Sequence, residues 1–304
     1  MQIAHDRLAE FVTRIFVAAG ATEAVAREVA DHLVAANLKG HDSHGVGMIP
    51  AYVANIRNGN LKVDAHANVL RDNGAVLMID GGFGFGQVVG REATELALER
   101  VRTTGIVCAG VRNCHHLGRI GTYGEQCGNA GCVSVHFVNV VGHPPQVSPF
   151  GGRERRMTTN PFCCVVPRPG DEPLVLDMAT SAIALGKVRV AHMKGEPVPE
   201  GALVDHEGVP TSDAAVMFQE PFMWATRTLP RTAQPAHPRN TNIVNHMLMF
   251  VLDPRALGAG AAFEEEVREM VAYLRGTTPA RGFDRVRVPG EPEQEFRAAR
   301  LADG

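Results

Sequence analysis

Apolar residues recur at helical spacing from the start of the chain. Leu8, Phe11, Val12, Ile15 and Phe16 share one face before Gly20, and the period resumes after Thr22 through Val25, Val29, Leu33 and Val34 to Gly40. This predicts a helical hairpin with Thr22 opening its second helix. A polar loop, His41-Asp42-Ser43-His44-Gly45, leads into a third short helix around 49–56, closed by Asn58-Gly59. Beyond Asp64 the pattern turns to strands. Residues 75–80 and 106–111 read as buried strands with a helix at 87–100 between them. Further strands are expected at 132–138, 162–167, 174–177 and 245–252, and further helices at about 181–192 and 263–274. The stretch 196–208, rich in Pro and Gly, reads as a surface excursion. Residues 227–242, carrying Pro230, Pro235 and Pro238, have no usable period, and a long structureless loop inside a compact domain is unusual. The tail 291–304 reads as a polar run. The domain organisation expected is a helical subdomain over 1–64, joined by 261–304, and an α/β cofactor- and substrate-binding domain over 65–260.

Composition narrows the function classes. A chain of 304 residues, 45% hydrophobic and 21% charged, is globular. A formal charge of −3 gives no basic footprint, which argues against nucleic acid or an anionic membrane as partner and in favour of small molecules. No apolar run reaches membrane-spanning length, and Met1-Gln2-Ile3-Ala4-His5-Asp6 lacks the basic-then-apolar order of a signal peptide. Six cysteines (Cys108, Cys114, Cys127, Cys132, Cys163, Cys164) form no CxxC pair. They read as reduced thiols, which points to the cytoplasm.

Gly82-Phe83-Gly84-Phe85-Gly86 lies between a strand and a helix, where a Rossmann phosphate loop would sit. Val89 occupies the third small position, and the strand ending near Arg112-Asn113 carries no carboxylate for a ribose. The glycines therefore read as a strand-to-helix turn, and a nicotinamide cofactor would be held in some other way.

The most informative stretch is Asn113-Cys114-His115-His116-Leu117-Gly118-Arg119, directly after a buried strand. Moving a hydride to or from an alcohol carbon needs a partner for the hydroxyl proton, and histidine titrates in the working range. Arginine clamps a carboxylate in a fixed two-pronged geometry. On these residues alone, a histidine capping the next helix beside an exposed arginine stands as an equal alternative. Zinc is a weaker rival, because adjacent residues rarely converge on one tetrahedral ion and no HxxxH or HExxH spacing lies nearby; no metal is expected. The cluster around Ser43 and His44 is either a capped turn or a second part of a site.

Taken together, Asp42-Ser43-His44-Gly45-Val46 with Tyr52, the run 113–118, Thr159-Asn160-Pro161, Asp177-Met178-Ala179-Thr180-Ser181 and Gly186-Lys187 resemble the type 2 malate/L-lactate dehydrogenase family. The likeness is greatest to its hydroxycarboxylate dehydrogenase B branch, through Gly47-Met48-Ile49-Pro50, the run 115–121 and the run 135–142. The resemblance implies an α/β fold with a large mixed, mainly antiparallel sheet, flanking helices and an N-terminal helical subdomain, not a Rossmann fold, in agreement with the failed glycine fingerprint. It implies a homodimer that binds NAD, or NADP, near the subunit interface and acts on a 2-oxo or 2-hydroxy acid. It places the acid/base at His116, the substrate pocket at Ser43 and His44, and cofactor contacts at Asn160, Pro161, Asp177, Met178 and Ala179. Tyr52 is a weaker candidate, equally readable as packing.

Two departures stand out. Many members carry a carboxylate-binding arginine where this chain has Met48, and the resemblance suggests Arg119 as its replacement. Members also continue after the place of Phe222 into a Glu-His-Lys-Gly-Tyr-Gly stretch that opens a buried helix. Here residues 224–231 stand in its place, and the helical C-terminal end is shortened. A lost core helix uncovers apolar surface worth roughly 1.5–3 kcal/mol per large side chain. Two rivals to a dehydrogenase follow: a non-catalytic homologue that lacks this segment, and a cyclic imino acid reductase using the same histidine.

Overall fold

The structure is a computed structural model that describes residues 2–142, 145–218 and 243–303. It opens with the expected hairpin, α1 (His5–Ala18) and α2 (Glu23–Leu38). The Thr22 hydroxyl caps α2 by accepting the Val25 N–H at 3.4 Å. Two single 3-10 turns, Asp42–His44 and Val46–Met48, lead into α3 (Ile49–Arg57). The strands β1 (Asn68–Asp72), β2 (Val76–Asp80), β3 (Ile106–Cys114), β4 (Val133–Val141), β5 (Phe162–Val166), β6 (Leu174–Met178) and β9 (Val244–Leu252) form one seven-stranded sheet. A separate two-stranded piece pairs β7 (Leu203–Val204) with β8 (Pro210–Thr211). The helices that follow are α4 (Gly86–Thr104), α5 (Gly121–Asn129), α6 (Leu185–Lys194), α7 (Gly260–Arg275) and α8 (Glu291–Asp303).

The sheet order is β1-β2-β3-β9-β4-β5-β6. β2 and β3 run parallel with α4 as the crossover, whereas β1–β2, β3–β9 and β4–β5 are antiparallel. The sheet is thus mixed and mainly antiparallel, as expected, and not the doubly wound sheet of a Rossmann fold. Burial alternates along β3 and β9: Val107, Ala109 and Val111 face the core opposite Val251, Met249 and Met247. This period of two is what strand geometry imposes on a sheet with one covered face.

The chain divides into two compact units. The first holds residues 1–137, 162–177 and 245–304, the second residues 138–161 and 178–244. These boundaries differ from those drawn at 64/65 and 260/261 on sequence, because the hairpin has no core of its own. Phe16, Ala26, Val29 and Leu33 of α1 and α2 share one buried cluster with Tyr52 of α3 and Phe85 and Val88 at the start of α4. The expected joining of the tail to the hairpin has a counterpart in α8. The Arg300 guanidinium donates to both Asp42 carboxylate oxygens, at 2.6 and 3.0 Å, and the Phe296 ring lies against Gly40.

Three helices differ from expectation, and the strands β1, β7 and β8 were not foreseen. The polar run 291–304 is the helix α8; its docking uses ion pairs more than an apolar stripe, so the hydrophobic period is faint. α5 is invisible to the period because Gly121, Gly124 and Gly128 lower helix propensity. They are needed for close packing: a Cβ at Gly124 would lie 2.4 Å from Val165 and one at Gly128 2.7 Å from Pro173. α6 starts at Leu185 instead of 181, since the Ser181 hydroxyl donates to the Ile183 carbonyl at 3.0 Å and holds that stretch as a bend. The stretch 227–242 and the replaced segment 224–231 lie outside the described residues.

Candidate active site

β3 delivers the histidine pair to the edge of the core. Just past the end of β3, His115 is fully buried and His116 half-buried. The run from 114 to 121 is then fastened at nearly every step. His115 N–H donates to the Gly84 carbonyl at 3.0 Å, Leu117 N–H to Asn245 Oδ1 at 2.8 Å, Arg119 N–H to His32 Nε2 at 3.2 Å and Gly121 N–H to Asp177 Oδ2 at 2.7 Å. The Tyr123 hydroxyl lies 2.5 Å from the Leu117 carbonyl. Gly86, the last glycine of the 82–86 turn, has a role here: a Cβ on it would sit 2.3 Å from the His116 carbonyl oxygen and 2.5 Å from that of His115. The turn packs α4 against the histidine run.

His116 is held from the other side by α3 and α4. Its Nδ1 lies 2.7 Å from the Tyr52 hydroxyl, and that hydroxyl accepts the Gln87 amide N–H at 2.8 Å. Tyr52 and Gln87 are both buried, and burial pushes the Tyr52 phenol up, so it stays protonated. Tyr52 is therefore a partner of His116 and not only packing.

The loop 41–46 supplies the second histidine. The His44 ring stacks on His116, centroids 5.5 Å apart and planes within 15°. Ser43 Oγ lies 3.0 Å from His44 Nδ1. Burial, with His41 and Arg119 adding positive charge, lowers the His44 pKa to about 4, so it is neutral at pH 7. Asn37 shapes this loop by donating to Asp42 at 2.7 Å and accepting the Val46 N–H at 2.8 Å. Ser43, His44 and His116 are thus brought together.

Arg119 is on the same run but turns inward. Its side chain is 1% exposed and donates through Nη1 to Glu125 at 2.9 Å, while Lys39 binds the other Glu125 oxygen at 2.5 Å. Nε and Nη2 are buried without a hydrogen-bond partner among the described residues. In this arrangement the guanidinium presents no accessible surface to a carboxylate. Burial, with Arg119 as a further cause, lowers the His32 pKa to about 3, which keeps Nε2 an acceptor for the Arg119 N–H. Burial also pushes the Cys114 thiol up to about 12, so it is not a nucleophile at neutral pH. All six cysteines are free thiols.

The residues expected at the cofactor divide between the two units: Asp177 in the first, Asn160, Pro161, Met178 and Ala179 in the second. Burial raises the Asp177 pKa, opposed by Arg119 and the Gly121 N–H. Within the second unit, Thr180 ties the two segments together. Its N–H and hydroxyl donate to the Thr159 carbonyl at 2.9 and 3.0 Å. Asn160 has a left-handed φ of 36° and accepts the Thr158 hydroxyl at 2.6 Å, and Met178 is exposed.

Sequence reasoning missed Gln87, Asn245, His32, Asn37, Lys39 and Glu125. Gln87 alone left a signal, as a polar residue beside Val88 and Val89 where α4 meets the core.

The family model for malate/L-lactate dehydrogenase matches residues 3–232 and 224–304, two stretches that meet where the sequence departs from expectation. The chain belongs to this family. Hydroxycarboxylate dehydrogenase B of Escherichia coli is 52% identical over 215 residues, 71% of this chain and 59% of that protein; the chain therefore matches less than two thirds of that relative's length. L-lactate dehydrogenase of Cupriavidus necator is 40% identical over 296 residues, 90% of this chain and 84% of that one. Among solved structures, a malate/lactate dehydrogenase-type protein of E. coli superposes with a TM-score of 0.89 at 38% identity, covering 100% of this chain and 90% of that one. Sulfolactate dehydrogenase of Methanocaldococcus jannaschii gives 0.85 at 29% identity, covering 100% and 92%.

Proposed function

We propose that this protein is a 2-hydroxyacid dehydrogenase that uses NAD or NADP and has His116 as its acid/base. One observation carries the reading: half-buried His116 is held by Tyr52 at 2.7 Å from Nδ1 and has its ring stacked on His44, which joins it to the Ser43–His44 pair. In oxidation the substrate O–H bond breaks and its proton moves to the His116 imidazole; in reduction the imidazole returns it. The nicotinamide, when bound, accepts or supplies the hydride at C2 of the acid.

Ser43 and His44 orient the substrate. Because His44 is neutral at pH 7, it hydrogen-bonds the acid and does not ion-pair with it. Arg119, expected as the carboxylate clamp, contributes its charge from beneath the loop, since Glu125 holds the guanidinium inward. Asn160, Pro161, Asp177, Met178 and Ala179 form the cofactor contacts of this reading. Thr180, two residues after exposed Met178, ties its segment to the one that carries Asn160, and a thioether and an amide suit the apolar face and carboxamide of a nicotinamide.

The same reading takes a second copy of the chain as partner. Val76, Met78, Ile106, Phe137, Leu248 and Phe250 leave a row of apolar side chains exposed on the sheet, and such patches mark association sites. Free thiols fit a reducing compartment, the cytoplasm. No helix among the described residues is long and apolar enough to cross a membrane.

The test is a fluorescence titration with NADH and NADPH, then a panel of 2-oxo acids and cyclic imino acids followed at the nicotinamide absorbance. Saturable binding and 2-oxo acid reduction, with His116→Asn slowing turnover about 10²–10⁴-fold at unchanged cofactor affinity, is the expected result. Folded protein that binds neither cofactor sinks the proposal.

A further inference from the structure

The glycine run 82–86 lies beside the histidine run, and one carboxylate joins the two. Asp80 ends β2 and pairs with Arg112 of β3 in parallel register. Beyond this pair the two chains stay bonded to each other: the Gly81 N–H donates to the Arg112 carbonyl at 2.8 Å, the Phe83 N–H to the Asn113 carbonyl at 2.7 Å and the His115 N–H to the Gly84 carbonyl at 3.0 Å. Phe83 and Asn113 both take left-handed backbone, with φ of 66° and 55°. Residues with a Cβ do so only where their surroundings hold them, and such positions cluster at functional sites.

On its other edge β3 carries one residue more than its partner. Val111 lies opposite Met247 and Cys114 opposite Asn245, so three steps along β3 match two along β9. This is a β-bulge, a feature that re-aims side chains beside active sites. Val107, Ala109 and Val111 face the core in alternation, yet the next core position is taken by Cys114 and not by Asn113. Fully buried His115 and half-buried His116 follow directly. A chain without the bulge would be displaced by one residue beyond Val111, so that His115 would stand in the place of His116.

Asp80 holds the bulge. Its Oδ2 accepts the Asn113 Nδ2–H at 2.9 Å and the Arg112 Nε–H at 2.8 Å, and its Oδ1 accepts the Gly82 N–H at 2.8 Å. Burial works against its ionisation, but the Gly82 N–H, Arg112 and Asn113 outweigh it and keep its pKa below the ordinary value, so at neutral pH both oxygens accept. We infer that Asp80 is a positioning residue: by fixing the bulge at Arg112 and Asn113 to the 82–86 turn, it sets His116, and not His115, in the candidate site. The inference rests on His116 being the acid/base, but its first readout needs no turnover.

The experiment is diethyl pyrocarbonate labelling of the full chain, located residue by residue by fragmentation mass spectrometry. The wild-type protein is expected to take label on His116 and to protect His115 and His136, both fully buried. Asp80→Ala is expected to move label onto His115 while His136 stays protected. It is also expected to lower kcat for 2-oxo acid reduction on the order of 100-fold at unchanged cofactor affinity, the cost of a displacement of about 1 Å. Asp80→Asn keeps one carbonyl acceptor and gives the same change in smaller measure, so the test does not depend on Asp80→Ala folding. Asn113→Gly, which takes left-handed backbone without support, is expected to keep His115 protected, whereas Asn113→Ala is expected to expose it. His115 protected in folded Asp80→Ala overturns the inference, as does label on His115 and His136 together, which would mean a general loosening of the core. Failure of the acid/base reading shows separately, as turnover that survives His116→Asn.

Discussion

The run 114–121 and the loop 41–46 supply the two histidines of the candidate site, and they are held by different means. The first is fastened mainly through its backbone: four N–H groups and one carbonyl meet partners on β9, α2, α5, β6 and the 82–86 turn. The second is fastened by side chains, Asn37 and Arg300, acting on Asp42, whose side chain is 59% exposed. Backbone bonds inside a core fix a ring to a fraction of an ångström and are insensitive to salt, which is what a proton-transferring group needs. Exposed ion pairs are weak and screened, which suits the substrate-orienting loop of the proposed function. On the proposed function, the difference makes acid/base geometry and substrate grip separately adjustable.

The strongest way to break this comparison is to push on the backbone clamp. Gly86→Ala places a methyl 2.3 Å from the His116 carbonyl oxygen, an atom with no freedom to swing away. Overpacking of this kind costs about 1–3 kcal/mol, and a shift of about 1 Å in the ring costs on the order of 100-fold in turnover. Thermal melting and kcat measured together should both fall; kcat unchanged in the variant would mean the turn does not position His116. Asn245→Ala should act alike but less. It orphans the buried Leu117 N–H, at a cost of about 1–3 kcal/mol in urea unfolding.

That clamp is also where the sequence was hardest to read. The helical hairpin and the strand at 245–252 announce themselves because local period and tertiary burial agree; the strands at 75–80 and 106–111 were legible in place but not in burial, since Val76, Met78 and Ile106 are exposed on one face of the sheet. His116, His44 and Ser43 stood out as candidates because they form polar clusters at element ends. Their supports did not: Asn245 lies 128 residues from Leu117, His32 87 from Arg119 and Gln87 35 from Tyr52, and nothing local marks such pairs. Arg119 shows the limit most clearly. Its place in the chain suggested a carboxylate clamp, but which way a side chain turns depends on Glu125 and Lys39, and those come from folding. α5 and α8 were missed for opposite reasons, glycines required by close packing in one and docking through charge in the other.

Acid tests the clamp from within. The His32 pKa is lowered from 6.5 to about 3 by burial, so between those values the unfolded chain binds the proton and the folded one does not. Stability from this residue is complete above pH 6.5 and is lost as pH falls toward 3, by roughly 1.4 kcal/mol per unit. His44 and His136, each lowered to about 4, add losses of the same sign. His32→Gln keeps an acceptor for the Arg119 N–H and does not titrate. Urea unfolding at pH 7 and pH 5 should show a loss roughly 2 kcal/mol smaller in the variant than in the wild type; equal losses would remove His32 from the account.

The smallest effect belongs to the other region and sharpens the contrast. Arg300 donates to Asp42 in two places and to the Asn37 carbonyl, but with side chains 35% and 59% exposed the ion pair is worth about 1 kcal/mol or less. Arg300→Ala should therefore raise KM for the acid about two- to fivefold and leave kcat within about twofold, since the His116 clamp is untouched. Salt should mimic the substitution, because the screening length falls from about 10 Å at 0.1 M to about 3 Å at 1 M. Anionic ligands feel salt directly in both proteins, so the decisive quantity is the ratio of the two KM values, not either one. If the loop is gripped by this pair, the ratio shrinks toward one as salt rises while both kcat values stay level. If the ratio is independent of salt, Arg300 acts by packing on α2, and the contrast between a fixed acid/base and an ionically gripped loop fails at its weaker side.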